Sequence, residues 1–294
     1  MLNASGPLVL DGGLATELES RGHDLSDALW SARLLVDAPD EITAAHLAFY
    51  RAGASIATTA SYQASFPGFA ARGIDRADAA RLMRRSVKLA DAARAELAHD
   101  GRARWVAASV GPYGAALADG SEYRGRYGLS VAELAAWHRP RMEVLADAGA
   151  DVLALETVPD MDEAEALLSL ISGTGVRAWL TYNTIGTTTR AGQPLTEAFA
   201  VAAGVDEVVA VGVNCCAPAD VAGAVTIAKE VSRKPIVAYP NSGEGWDPMH
   251  RSWVGSFAYS PGYARTWASQ GVRIVGGCCR VRSTHIARIA GAVA

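Results

Sequence analysis

The sequence predicts an α/β fold, a single (β/α)8 TIM barrel with long βα loops at its C-terminal face. Three observations carry this prediction. Short β-branched apolar runs alternate with longer amphipathic segments, the pattern of a parallel sheet with crossover helices. The alternation repeats eight times in 294 residues, which suits a closed barrel better than an open doubly wound sheet. The longest irregular stretches, 111–129 and 240–258, both follow expected strands, where a barrel builds its active face. One domain spanning residues 1–294 is expected.

In chain order, Leu8–Leu10 is a short apolar run closed by Asp11-Gly12-Gly13. Residues 41–52 read as a helix and Ser55–Thr59 as a strand. A long helix follows over 76–98, with Asp75 as its N-cap and Leu82, Val87, Leu89 and Ala93 on its inward face. Trp105–Val110 is a strand, and Ser130-x-x-Glu133 is a capping box opening the next helix. Pro140, inside that helix, is expected to kink or restart it. Asp151–Leu155 reads as a strand ending at Glu156, and Asp160-x-x-Glu163 starts a helix through Ile171. Arg177–Tyr182 is a strand, 195–203 a helix, and Val208–Val213 a nearly continuous apolar strand buried on both faces. A helix over 218–231, strands Pro235–Tyr239 and Val272–Val275, a helix over 261–269 and a last helix Thr284–Val293 complete the repeats.

Composition narrows the function. Half the residues are apolar and the formal net charge is −4, so nothing favours nucleic acid or an anionic membrane as partner. No apolar run is long enough to span a bilayer. Met1–Pro7 has neither a basic n-region nor an apolar h-region, so a cytoplasmic location is expected. The sequence does not specify an oligomeric state. The six histidines form no H-E-x-x-H pair, and there is no glycine-rich nucleotide loop. His285 reads as structural or surface-facing.

The four cysteines form two adjacent pairs, Cys215-Cys216 and Cys278-Cys279, each just after an expected strand. Four are too few for a disulfide scaffold, a vicinal bridge would be strained, and clustered cysteines point to metal binding or catalysis. Their spacing is not that of a zinc ribbon. Adjacent residues in an extended segment point to opposite sides, so a closed site using all four sulfurs demands two distorted turns. Three sulfurs holding one zinc, with an open fourth position, is the easier arrangement and the catalytic type. Spacing leaves open which sulfur of the first pair binds. In a barrel, Asp11, Glu156, Cys215 and the second pair converge on one end. Glu156 closes an apolar run at the barrel mouth, either paired with an arginine or facing a substrate ammonium. Asp11 is either a turn residue or a site acid, and Gly12 and Gly13 can offer backbone N–H groups to a substrate carboxylate.

Asp11-Gly12-Gly13-Leu14-Ala15-Thr16-Glu17-Leu18-Glu19, Gly212-Val213-Asn214-Cys215 and Gly276-Gly277-Cys278-Cys279-Arg280 together resemble the homocysteine S-methyltransferase family. So do Ser109–Gly114, Ala118–Gly125 and Tyr239–Glu244. The resemblance implies a zinc-dependent enzyme with one zinc ion per chain, Cys215, Cys278 and Cys279 as ligands, and Cys216 as a packing residue. It supports Glu156 as the partner of the homocysteine ammonium, with Asp11, Gly12, Gly13, Asn214 and Tyr62 as further substrate contacts. Tyr62 matches a family tyrosine near the metal.

The chemistry then follows from charge. The thiolate is the reactive form of a thiol, and binding to zinc deprotonates the homocysteine sulfur. Three cysteine thiolates and a fourth from the substrate leave the site formally at −2, which suits a cationic methyl donor held in line. The stretches 109–125 and 239–244 most resemble stand-alone members using S-methylmethionine, often S-adenosylmethionine too; betaine is the alternative donor. Folate-using members carry extra domains, and this chain ends with its barrel, which favours a direct donor. Selenol acceptors occur among relatives. Trp246, Tyr113 and Tyr123, in the long loops, can face a sulfonium through cation–π contact. A zinc hydrolase is disfavoured because three thiolates reduce Lewis acidity, and a zinc or thiol sensor is the non-catalytic alternative.

Overall fold

The computed structural model describes residues 6–26, 29–247 and 252–294, apart from the side chains of residues 246, 247, 252 and 253. Eight parallel strands form one sheet: β1 (Leu8–Val9), β2 (Ile56–Thr58), β3 (Trp105–Val110), β4 (Val152–Val158), β5 (Ala178–Tyr182), β6 (Val208–Asn214), β7 (Ile236–Tyr239) and β8 (Val272–Val275). Each pairs with its sequence neighbour, β8 returns to β1, and a parallel bridge from Leu10 to Ile56 closes the ring. The outer helices are α1 (Pro39–Arg51), α2 (Arg76–Glu96), α3 (Val131–Ala146), α4 (Met161–Ile171), α5 (Leu195–Ala200), α6 (Val221–Ser232), α7 (Pro261–Ser269) and α8 (Ser283–Val293). The (β/α)8 barrel expected from the alternation is the fold.

Two-residue periodicity divides each strand between two cores. Leu8, Ile56, Ala107, Val152, Ala154, Trp179, Ala210, Val237 and Ile274 point into the barrel, where alanines make room for the fully buried Trp179. Their neighbours Val9, Ala57, Ala108, Leu153, Leu180 and Val211 face the helices. Toward the C-terminal ends of the strands the inward positions turn polar: Ser109, Glu156, Thr181 and Asn214, all buried, continue the same faces. The barrel is thus an apolar plug with a polar layer at its mouth.

Local signals place the helices. Asp75 Oδ1 accepts from the Asp78 amide at 2.8 Å, capping α2. Ser130 and Glu133 form the reciprocal capping box of α3. That helix runs through Pro140 without a restart. Proline removes only one hydrogen bond there, and the buried His138, Arg141, Met142 and Leu145 fasten the turns on either side. Strand β4 does not stop before Glu156. It continues to Val158 by inserting one extra residue opposite β5, with register passing from Leu155–Leu180 to Val158–Tyr182.

Candidate active site

The strand ends bring Cys215, Cys278 and Cys279 together, with all three sulfurs within 4.8 Å of one another. Cys215 Sγ lies 2.7 Å from Cys278 Sγ and 3.9 Å from Cys279 Sγ, and all four cysteines of the chain are free thiols. The segment after β7 forms a template between the two cysteine loops. Asn241 donates through Nδ2 to the Cys215 carbonyl at 3.2 Å and accepts through Oδ1 from the Cys279 amide at 3.1 Å. The Cys278 amide donates to the Pro240 carbonyl at 2.8 Å, and the Asn241 amide to the Cys216 carbonyl at 3.0 Å. Cys215 adopts φ +51°, turning its side chain out of strand alternation toward the second pair. Hydrogen bonds from the Cys215 and Cys278 thiols hold Cys279 well below the usual thiol range, while sharing those bonds and burial push Cys215 up.

Cys216 stands apart. It is buried, lies outside the three-sulfur cluster, and burial pushes its thiol up to about 12, so it stays protonated at neutral pH.

Glu156 lies beside the sulfurs on the inward face of β4. Its carboxylate accepts from the Ser109 hydroxyl on one oxygen and from Tyr239 Oη at 3.0 Å on the other. Burial pushes its carboxyl up to about 7, against the lowering effect of both hydroxyl bonds. The residue after it forms the β4 bulge: Thr157 adopts φ +61°, a conformation that a β-branched residue rarely takes. Asn214 holds it there. Its Oδ1 accepts from the Thr157 amide at 2.7 Å and from Thr181 Oγ1 at 2.8 Å, and its Nδ2 donates to Thr157 Oγ1 at 2.7 Å. Asn214 was expected to touch substrate; it is instead fully buried with its amide group engaged inside the protein. It fixes the bulge that follows Glu156.

The first loop brings both glycines to the site. The Gly13 amide, expected as part of a carboxylate nest, donates to the Val281 carbonyl at 2.9 Å. A Cβ on Gly12 would lie 2.2 Å from the Val281 carbonyl oxygen, and one on Gly13 2.6 Å from that of Cys278. The two glycines let the second cysteine loop lie against the first βα loop. Asp11 is buried behind this contact and accepts from the Thr58 amide at 2.7 Å and Thr58 Oγ1 at 3.0 Å. Burial, with the nearby Glu156, raises its carboxyl well above the usual range.

A cleft over the cluster is lined by Gly12, Gly13, Tyr62, Glu122, Tyr123, Glu156 and the three sulfurs, with no lysine or arginine among its described lining residues. Tyr62 is near both Cys215 and the Thr157 hydroxyl. Tyr123 lines the cleft beside Cys279, so this loop aromatic does face the site. Tyr113 does not: its ring packs edge-on to Tyr127 and Trp137, each at 5.1 Å. The expectation for the Trp246 side chain lies outside the described residues. His285 is structural, accepting from the Arg282 amide at 3.0 Å and stacking on Phe257.

Ser109, Tyr239, Asn241 and Glu122 escaped the sequence reading as site residues. All four sit in stretches that carry the family resemblance, but only the folded barrel reveals that their side chains converge.

The family profile described as "Homocysteine S-methyltransferase" matches residues 8–293. The chain is 46% identical to the homocysteine S-methyltransferase of Escherichia coli, over 98% of this chain and 96% of that one. It is 44% identical to homocysteine S-methyltransferase YbgG of Bacillus subtilis, over 96% and 93%. It is 41% identical to the selenocysteine Se-methyltransferase of Brassica oleracea, over 97% and 88%. The crystal structure of the metallated form of the E. coli homocysteine methyltransferase MmuM superimposes with a TM-score of 0.88 at 45% identity, covering 99% of this chain and 97% of that one. The chain belongs to the homocysteine S-methyltransferase family.

Proposed function

We propose that this protein transfers a methyl group from a sulfonium amino acid, S-methylmethionine foremost and S-adenosylmethionine second, to the sulfur of homocysteine, giving methionine. The observation that carries this reading is the convergence of three cysteine sulfurs with a buried carboxylate in a cleft lined by no lysine or arginine among the described residues. The cysteines fit a zinc ion. Tetrahedral Zn–S bonds of about 2.3 Å space sulfurs about 3.8 Å apart. The 3.9 Å Cys215–Cys279 separation matches this, and the 2.7 Å Cys215–Cys278 separation needs to open by about 1 Å. Cys215, Cys278 and Cys279 would hold the zinc ion, which when bound would leave an open position and keep the acceptor sulfur as thiolate at neutral pH.

The chain's own groups do the rest. Glu156, with only hydroxyl partners, receives the homocysteine ammonium and becomes fully ionised by that pairing. Asp11 braces the end of β2 through Thr58. Gly12 keeps a place at the cleft wall for the substrate backbone, and Tyr62 and Tyr123 close the sides. As the new S–CH3 bond forms, the old C–S bond breaks with its electron pair on the donor sulfur, so the sulfonium leaves as a neutral thioether. No proton moves in this step. The negative cleft attracts the sulfonium and loses that attraction to the neutral product. The Brassica relative, named for selenocysteine, supports a selenol as a second acceptor class. A cytoplasmic site of action, where thiols stay reduced, belongs to the same proposal; among the described residues no helix is long and apolar enough to cross a membrane.

The test is a zinc determination with parallel assays of homocysteine methylation by S-methylmethionine, S-adenosylmethionine and betaine. Stoichiometric zinc with fastest transfer from S-methylmethionine is expected. Transfer from betaine alone overturns the donor assignment, and zinc without any transfer overturns the activity.

A further inference from the structure

A second carboxylate faces the sulfur cluster and has no role in the account above. Glu122 sits in a 3-10 turn, Ser121–Tyr123, in the loop after β3. Backbone contacts fix its place. The Ser121 amide donates to Asp119 Oδ1 at 2.9 Å, and the Gly125 amide to the Ser121 carbonyl at 2.9 Å. The turn presses on Gly114, where a Cβ would lie 2.5 Å from the Glu122 nitrogen. So held, the side chain lines the same cleft as Glu156 and the three cysteines. Its Oε2 is shielded from solvent and has no hydrogen-bond partner among the described residues. A buried acceptor without a donor is costly, and a charged one more so. Burial accordingly pushes the Glu122 carboxyl up to about 7.

Glu122 and Glu156 flank the cluster separately. Both feel Cys279, but Glu156 belongs with Ser109 and Tyr239, while Glu122 belongs with Asp119. Glu156 stands inside the barrel on β4. Glu122 stands on an outer loop beside Tyr123, which is 40% exposed at the entrance. The reaction brings two amino acids together, and each carries an ammonium. The deeper acid suits the acceptor, whose sulfur must reach the cysteines. The outer acid suits the molecule that arrives over it.

We infer that Glu122 recognises the primary ammonium of the methyl donor, and so selects sulfonium amino acids over donors that lack an N–H group. An orphaned carboxylate oxygen calls for a hydrogen-bond donor. A primary ammonium has three, whereas a sulfonium centre and a quaternary ammonium such as betaine have none. This inference rests on the sulfonium-donor reading above.

The experiment uses the zinc-loaded protein and its Glu122→Gln and Glu122→Asp variants. Each is assayed with S-methylmethionine and with dimethylsulfoniopropionate, the sulfonium without an amino group, measured as substrate or as competitive inhibitor. If the wild-type protein takes no methyl from S-methylmethionine, the donor reading itself fails. Given that turnover, Glu122→Gln is expected to raise KM for S-methylmethionine about 10- to 100-fold, by loss of a charged hydrogen bond. KM for homocysteine, zinc content and the constant for dimethylsulfoniopropionate should stay the same, and Glu122→Asp should recover part of the loss. Equal weakening of both sulfonium compounds, a rise in KM for homocysteine instead, or no change in either overturns the assignment.

Discussion

Glu156 and Glu163 are both buried carboxylates, on β4 and on the helix that follows it, yet their surroundings differ. Glu163 accepts from the Tyr113 amide at 2.5 Å, His138 Nε2 at 2.8 Å and Tyr127 Oη at 3.3 Å, with the Arg141 guanidinium nearby. Arg141 in turn donates to the Tyr62 carbonyl at 3.3 Å. This network fastens the loops after β2 and β3 to α3 and α4. Glu156 has two hydroxyl donors and, among the described residues, no cation, and burial wins over both. The difference separates a charge used to build the fold from one that, in the proposed function, is held for a ligand. The first is complete in the protein alone; the second is completed by what binds.

Four experiments sharpen or break that contrast. Glu156→Gln should lower kcat/KM for methyl transfer about 100-fold, mainly through KM for homocysteine, with no fall in melting temperature. Glu163→Gln should do the reverse. It strands Arg141, so an unfolding free energy lower by about 3–5 kcal/mol is expected in denaturant titrations, with a smaller kinetic effect. If Glu156→Gln proves the more destabilising variant, the contrast is wrong.

The pH dependence gives the third test. The Glu156 value of about 7 in the folded protein lies above its ordinary carboxylate value. Its contribution to stability is therefore full below that ordinary value and is lost as pH rises through about 7. Homocysteine affinity, which needs the carboxylate, should rise over the same window. Glu156→Gln should flatten both trends; an unchanged profile would place the titration elsewhere. The smallest effect is expected at Asn214. Asn214→Ala releases the Thr157 bulge, with a stability loss of about 1–3 kcal/mol and KM for homocysteine several-fold higher. A stability loss with KM unchanged would show that the bulge does not aim Glu156.

These contrasts also mark what a sequence reveals. Strand and helix positions were legible because burial imposes two- and 3.6-residue periods on the chain. The cysteine cluster and Glu156 were legible because a barrel sends every strand end to one face. The bulge at Thr157 was not, since one inserted residue leaves the apolar pattern of Val152–Leu155 unchanged. Nor were the hydrogen bonds of Asn214 and Gly13, whose partners Thr157 and Val281 are distant in sequence and chosen by three-dimensional approach. Glu122 and Glu163 looked alike as loop and helix acids. Only the presence of donors around one and their absence around an oxygen of the other tells them apart.

The chain's sulfurs are unequal: three meet at one metal-capable cluster, proposed to hold zinc, and one is buried apart from it. This inequality is tested most directly by zinc bound per chain under reducing conditions in the wild-type, Cys215→Ala and Cys216→Ala proteins. The account predicts one zinc in the wild type, near loss in Cys215→Ala, and full retention in Cys216→Ala. Retention in Cys215→Ala with loss in Cys216→Ala would contradict it.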